Sequence, residues 1–150
     1  MRDKLALTLA VFFRTRNMNR IPENLLALRQ RIAAACAASG RTPETVRTLA
    51  VSKNFDASDV QRAMAAGLTE FGENYLQEGL AKIAALPRAA LHWHFIGPVQ
   101  SNKTRALAER FDWVQSVDRL KIAQRLSEQR PAGLPPLNVC VQVNISGEDS

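Results

Sequence analysis

From Ile21 onward the chain alternates two apolar rhythms. Leu25, Leu28, Ile32 and Cys36 recur at helical spacing and predict an amphipathic leading helix with one buried face. Pro22 suits its first helical position, and Gly40 suits the residue past its end. Val46 to Val51 is β-branched and apolar and reads as a strand. Asp56, with Asp59 three residues on, reads as a capping box in which aspartate replaces glutamate. The helix it opens carries Val60 and Met64 inward and stops at Gly67. Leu68 to Phe71 is then a short strand, Tyr75 to Leu86 a helix, and Leu91 to Ile96 a strand that is apolar apart from His92 and His94. Asn102 to Arg110 is helical, Trp113 to Val117 a fourth strand, and Asp118 to Gln129 another helix. After a loop from Pro131 to Pro136, Leu137 to Val143 forms a fifth strand.

Strands thus recur about every 20 to 25 residues with a helix between each pair, the rhythm of repeated βαβ units and a parallel sheet. An open doubly wound sheet and a (β/α) barrel share that rhythm. No G-x-G-x-x-G loop follows the first strand, which removes the main support for a dinucleotide fold. Polar residues gather instead just after successive strands: Lys53, Asn74, Gln100 with Asn102, Asp118 and Asn144. Barrel enzymes place their sites there, at the carboxyl ends of the strands, so an α/β chain of the (β/α) TIM-barrel type is preferred.

Residues 1–17 break the pattern. Met1 to Lys4 is charged, Leu5 to Phe13 is apolar, and Arg14 to Asn17 is polar and basic. The apolar run is too short to span a bilayer as a helix. It has the charged start and apolar middle of a signal peptide but no small-residue cleavage site. Residues 1–17 are read as an upstream extension or disordered tail, Met18 as a second start, and residues 18–150 as the domain.

At 150 residues, 46% apolar and 23% charged, the chain can bury a core of its own. Cys36 and Cys140 lie far apart and outside metal-ligand spacing, so two buried thiols in a reducing cytoplasm are expected, and no metal. The net charge of +6 raises the question of nucleic acid. Its arginines are scattered over helix faces, however, with no basic run and no interleaved aromatics, which favours solvated surface.

Lys53 changes the picture most. It ends the run Thr48-Leu49-Ala50-Val51-Ser52, at the tip of a buried strand. Desolvation there disfavours the ammonium and makes the amine a usable nucleophile toward an aldehyde. The bland alternative is a solvated strand-end lysine. Asn74 can hydrogen-bond a ligand or cap the helix after it. His94 could face the interior, with His92, of the same parity, one layer deeper. For both histidines a hydrogen-bonded core residue is the plain alternative. Lys103 stands at a helix start, where a solvated lysine is the default.

Five segments, in order, carry a family resemblance: Leu49-Ala50-Val51-Ser52-Lys53; Phe71 to Glu78 (FGENYLQE); His94 to Lys103 (HFIGPVQSNK); Gln115-Ser116-Val117-Asp118; and Gln142 to Ser150 (QVNISGEDS). The chain resembles the pyridoxal phosphate homeostasis proteins, whose barrel is similar to the N-terminal domain of alanine racemase, the fold type III of pyridoxal 5′-phosphate (PLP) proteins. The resemblance covers Met18 to Ser150. Val99 stands where the family usually has leucine, an apolar exchange of little consequence.

The resemblance implies that Lys53 holds PLP as a Schiff base, that Asn74 and His94 contact the cofactor, and that no residue acts catalytically. It implies a PLP carrier that hands the cofactor to apo-enzymes in the cytoplasm, with no nucleic-acid or membrane partner. The alternatives are a racemase-like enzyme, for which Tyr75 is the one tyrosine, or a nonfunctional fragment. Barrels of this class need about 250 residues. The chain is therefore expected to hold only about the first five β/α units, with the family's phosphate-binding residues beyond its end.

Overall fold

The computed structural model describes residues 7–12, as backbone, and 20–147. The chain divides into two compact units, Met1–Phe71 and Gly72–Ser150, and the division falls inside one strand.

The first unit runs β1 (Leu7–Phe12), α1 (Ile21–Ala38), β2 (Val46–Val51), α2 (Ala57–Ala65) and the start of β3 (Glu70–Glu73). Its sheet order is β1-β2-β3. β1 pairs with β2 in parallel, from Leu7 opposite Val46 to Phe12 opposite Val51. The sequence pattern left residues 1–17 outside the fold, whereas the backbone of Leu7–Phe12 is a ladder-forming strand. The six-residue sequence LTLAVF, rich in β-compatible side chains, matches β2 in length. Residues 1–6 and 13–19, including the second start at Met18, lie outside the described residues.

α1 begins with Pro22 in its first turn, where a missing N–H costs nothing. It ends at Gly40, which takes φ 64° so that the Arg41 N–H can reach back to the Cys36 carbonyl at 2.9 Å. Ile21, Leu25 and Cys36 are buried, while Leu28 and Ile32 are half-buried. Ile32 lies along an open groove of about 480 Å³ shared with Val46 and Leu68. β2 becomes more buried toward its carboxyl end, where Leu49, Ala50 and Val51 are all enclosed. α2 carries the expected capping box. The Asp59 N–H donates to the Asp56 carboxylate at 2.9 Å, and the Asp56 N–H donates to that of Asp59 at 3.2 Å. Val60 is buried as expected, but Ala63 takes the inward place and Met64 is half-buried.

The second unit continues from β3 through α3 (Leu76–Ala85), β4 (His92–Phe95), α4 (Thr104–Arg110), β5 (Trp113–Val117), α5 (Leu120–Gln129) and β6 (Asn138–Val141), with sheet order β3-β4-β5-β6. β4 and β5 are parallel, with His94 opposite Trp113 and Phe95 opposite Val114. β5 and β6 are parallel too, with an irregularity between Val114 and Val117. Trp93, Phe95, Leu107, Phe111, Ile122 and Leu126 form the enclosed core, and the Phe95 and Phe111 rings meet edge to face at 5.6 Å. Arg130 donates to the carbonyls of Ala108 (2.6 Å) and Phe111 (2.9 Å), satisfying acceptors that the end of α4 leaves open.

Three expectations need correction. The third strand of the sheet is Glu70–Glu73 where the apolar pattern gave Leu68 to Phe71. The ladder runs on through Gly72 and ends on a charged residue that the pattern excluded. His92 is exposed at the start of β4, one step before the layer in which His94 sits. Cys36 is buried but Cys140 is exposed, because every residue of β6 is exposed.

The Asp56 carboxyl is held below its ordinary value, chiefly by the Ser58 hydroxyl, which donates at 2.7 Å, and then by the Asp59 N–H. A depressed folded value means that the carboxylate stabilises the fold fully above its unfolded pKa of about 3.9, and that this contribution fades as pH falls through the lower folded value. An Asp56→Ala variant should therefore melt below the parent at neutral pH, with the gap closing below about pH 4. Thermal melts across pH check this; a gap that stays constant into strong acid contradicts it.

Candidate functional site

Lys53 lies two residues past the end of β2 and occupies a tight turn. The Phe55 N–H donates to the Ser52 carbonyl at 3.1 Å, which places Lys53 and Asn54 at the turn's two central positions. Asn54 takes φ 66°, the one positive φ among the described non-glycine residues. Asparagine tolerates this left-handed geometry better than most side chains. Ser52 before the turn is buried, and the Asp56 capping box follows it at once, so the backbone under Lys53 is fixed on both sides.

In the second unit, Asn74 follows β3. The helix after it has Tyr75 as its N-cap and receives no side-chain cap, so capping by Asn74 is not what the structure shows. The Asn74 backbone is instead the floor on which Gly97 rests. A Cβ at Gly97 would meet the Asn74 carbonyl oxygen and would lie 2.9 Å from both its carbonyl carbon and its Cα. The Ile96 N–H donates to the Glu73 carbonyl at 2.9 Å, and the Ser116 hydroxyl donates to the Gly97 carbonyl. The Oδ1 atom of Asn74 is sealed from solvent and has no hydrogen-bond partner among the described residues. A buried acceptor left open in this way calls for a ligand or a water.

His94 is buried at 3% exposure and lies flat against Trp113, with ring centroids 5.4 Å apart and planes 5° from parallel. Its Nδ1 is 2.9 Å from Nε2 of Gln115 on β5. Gln115 belongs to one of the five family segments, and nothing in that segment alone gives it a role. The signal available was a glutamine inside an otherwise largely apolar parallel strand, where a polar side chain needs a partner. Gln100 and Lys103 do not join this group. With Asn74, Tyr75, Gln77 and Phe95 they line a separate open cleft of about 620 Å³.

Beneath Asn74 is a buried ion pair. Glu73 has no exposed surface, and its Oε1 accepts from Nζ of Lys82 at 2.7 Å, with Glu78 4.0 Å from the same ammonium. Gly79 makes room for the Phe111 ring, since a Cβ there would come 2.7 Å from it. Among the described residues there is no group of three or more His, Cys, Asp or Glu able to hold a metal, and no helix long and apolar enough to cross a membrane.

Residues 21–148 match the family described as alanine racemase, N-terminal domain. The chain is 65% identical over 133 residues to the pyridoxal phosphate homeostasis protein of Pseudomonas aeruginosa, covering 89% of this chain and 58% of that protein. It is 54% identical over 136 residues to the protein of the same name from Escherichia coli, again covering 89% and 58%. Among solved structures it is similar to PipY of Synechococcus elongatus with PLP bound, at 41% identity and TM-score 0.60, covering 73% of this chain and 47% of that one. The chain thus spans less than two thirds of the length of these relatives.

Three substitutions test how the Asn74 turn is held. Lys82→Met strips the ammonium from a buried carboxylate and should cost about 3–5 kcal/mol in urea unfolding, whereas Glu73→Leu combined with Lys82→Met should recover most of the loss. A cheap single variant would mean that water reaches Glu73. Gly97→Ala should cost about 1–3 kcal/mol by overpacking against the Asn74 backbone; unchanged stability would place Gly97 farther from that turn.

Proposed function

The chain belongs to the alanine racemase N-terminal domain family, among the pyridoxal phosphate homeostasis proteins, and on that footing we propose that it binds PLP on Lys53 and serves PLP homeostasis without turning over a substrate. The observation that carries this is Lys53 itself, on a rigid turn at the carboxyl end of β2, in a chain 65% identical to a homeostasis protein. Bound PLP supplies an aldehyde and a conjugated ring able to accept electron density. Lys53 supplies the amine that joins the aldehyde as a Schiff base.

The residues present fit such a group. Asn74 offers a sealed polar edge with an acceptor open among the described residues, and His94 offers a buried imidazole held in one plane by Trp113. In this proposal both bind the cofactor's polar atoms and neither moves a proton. The relatives' name, that of a homeostasis protein and not of an enzyme, supports the same reading.

We assign the protein to the cytoplasm, with PLP-dependent apo-enzymes as recipients and nucleic acid outside its partners. The basic charge supports the last point by where it is spent. Arg88, Arg119, Arg125 and Arg130 all donate to backbone carbonyls, of Arg110, Val99, Ser101 and Ala108 respectively, so these four are engaged within the fold.

Incubation with PLP followed by borohydride reduction should fix the label on the peptide containing Lys53, read by mass. Lys53→Ala should lose that label almost entirely. Equal labelling of the variant would mean that surface lysines account for the signal and would overturn the assignment.

A further inference from the structure

The contact between Gln115 and His94 determines what the imidazole can do. β4 and β5 place His94 opposite Trp113, and Gln115, two residues further along β5, shares the face of Trp113. The Gln115 atom 2.9 Å from His94 Nδ1 is the amide nitrogen, which only donates. Nδ1 therefore accepts, and the neutral ring carries its proton on Nε2. Stacking on Trp113 fixes the ring plane. A doubly protonated ring would set two donors against each other at Nδ1.

We infer that Gln115 is a positioning residue that locks His94 as a neutral donor with its proton on Nε2, so that His94 can bind an acceptor oxygen of the cofactor but cannot serve as a base at that nitrogen. An Nε2 base needs its lone pair, which requires the proton on Nδ1 and an acceptor at position 115. Glutamate there would provide one, in the way that a carboxylate orients a histidine base in hydrolytic triads. The atom that position 115 turns toward Nδ1, a donor or an acceptor, thus separates a holding site from a proton-transferring one. The cofactor part of this inference rests on the proposed function; the tautomer part does not.

The test uses the full chain labelled with ¹⁵N-histidine. It contains only two histidines, so a His92→Asn variant assigns the spectrum. Long-range proton–nitrogen correlation without PLP should show His94 protonated on Nε2 and bare on Nδ1. Gln115→Glu should move a proton onto Nδ1, and Gln115→Met, which keeps the bulk but removes the donor, should shift the Nδ1 resonance. A parent chain protonated on Nδ1 would mean that Gln115 presents its oxygen there and would overturn the lock; so would a Gln115→Glu spectrum identical to the parent's. Adding PLP to the parent should shift the Nε2 resonance while Nδ1 stays bare. PLP captured on Lys53 with His94 unmoved would overturn the donor role. Failure of Lys53 to capture PLP, with the tautomer as stated, would overturn only the proposed function.

Discussion

A carboxylate with no exposed surface can stand at the end of a strand only beside a cation, and Glu73 has Lys82 at 2.7 Å. That pair lets β3 continue past its apolar stretch, and the continuation places everything after it. The Glu73 carbonyl accepts from the Ile96 N–H, the next residue is Asn74, and the Asn74 backbone is the surface against which Gly97 closes. The Gly97 carbonyl in turn takes the Ser116 hydroxyl of β5. One ion pair thus lies beneath a chain of close approaches running through β3, β4 and β5. An apolar pair of the same volume could match its stability. What the charges add is direction: the ammonium fixes where the strand stops and the turn begins.

The parts of the fold that local chemistry decides were legible in the sequence. Val46–Val51 and Trp113–Val117 were bounded to the residue, because each is an apolar run between turn residues. The Asp56 box and the positive φ of Gly40 and Gly67 follow from side chains whose preferences are strong in isolation. Two of the misses share one cause, a partner elsewhere in the chain. β3 was placed two residues early because Glu73 looks like a strand breaker until Lys82, nine residues on, is brought beside it. Gln115 was left without a role because its partner, His94, is 21 residues away on another strand. Cys140 reads as a core thiol from its apolar neighbours, yet β6 is exposed throughout. Parity put His92 and His94 on one face correctly, but parity gives no depth, and one lies exposed while the other is enclosed.

Of the three cofactor-binding candidates, Lys53 stands out by position as a lysine just past a buried strand, and the family resemblance is what gives that position a role. What its position did not reveal is the conformation that follows. Asn54 at φ 66° is an uncommon backbone state, and such states persist where the surroundings fix them. Here the surroundings are a buried serine on one side and a doubly capped helix on the other.

The same economy recurs at each proposed contact, and it bears on why such a site would hold a cofactor without using it. Lys53 is fixed by its turn, Asn74 by the glycine packed on its backbone, and His94 by a stacked indole and an amide. Every one of these supports orients a group. A proton-transferring site needs more: a carboxylate behind the histidine, or paired groups whose environments drive their pKa values apart. Gln115 behind His94 is the neutral counterpart of such a carboxylate, similar in shape but presenting its amide nitrogen, a donor, where the carboxylate would accept a hydrogen bond from Nδ1–H and so leave the far nitrogen bare. On this argument the difference between a carrier and an enzyme, on one arrangement of strands, comes down to which hydrogen-bonding partners stand behind the residues that touch the ligand.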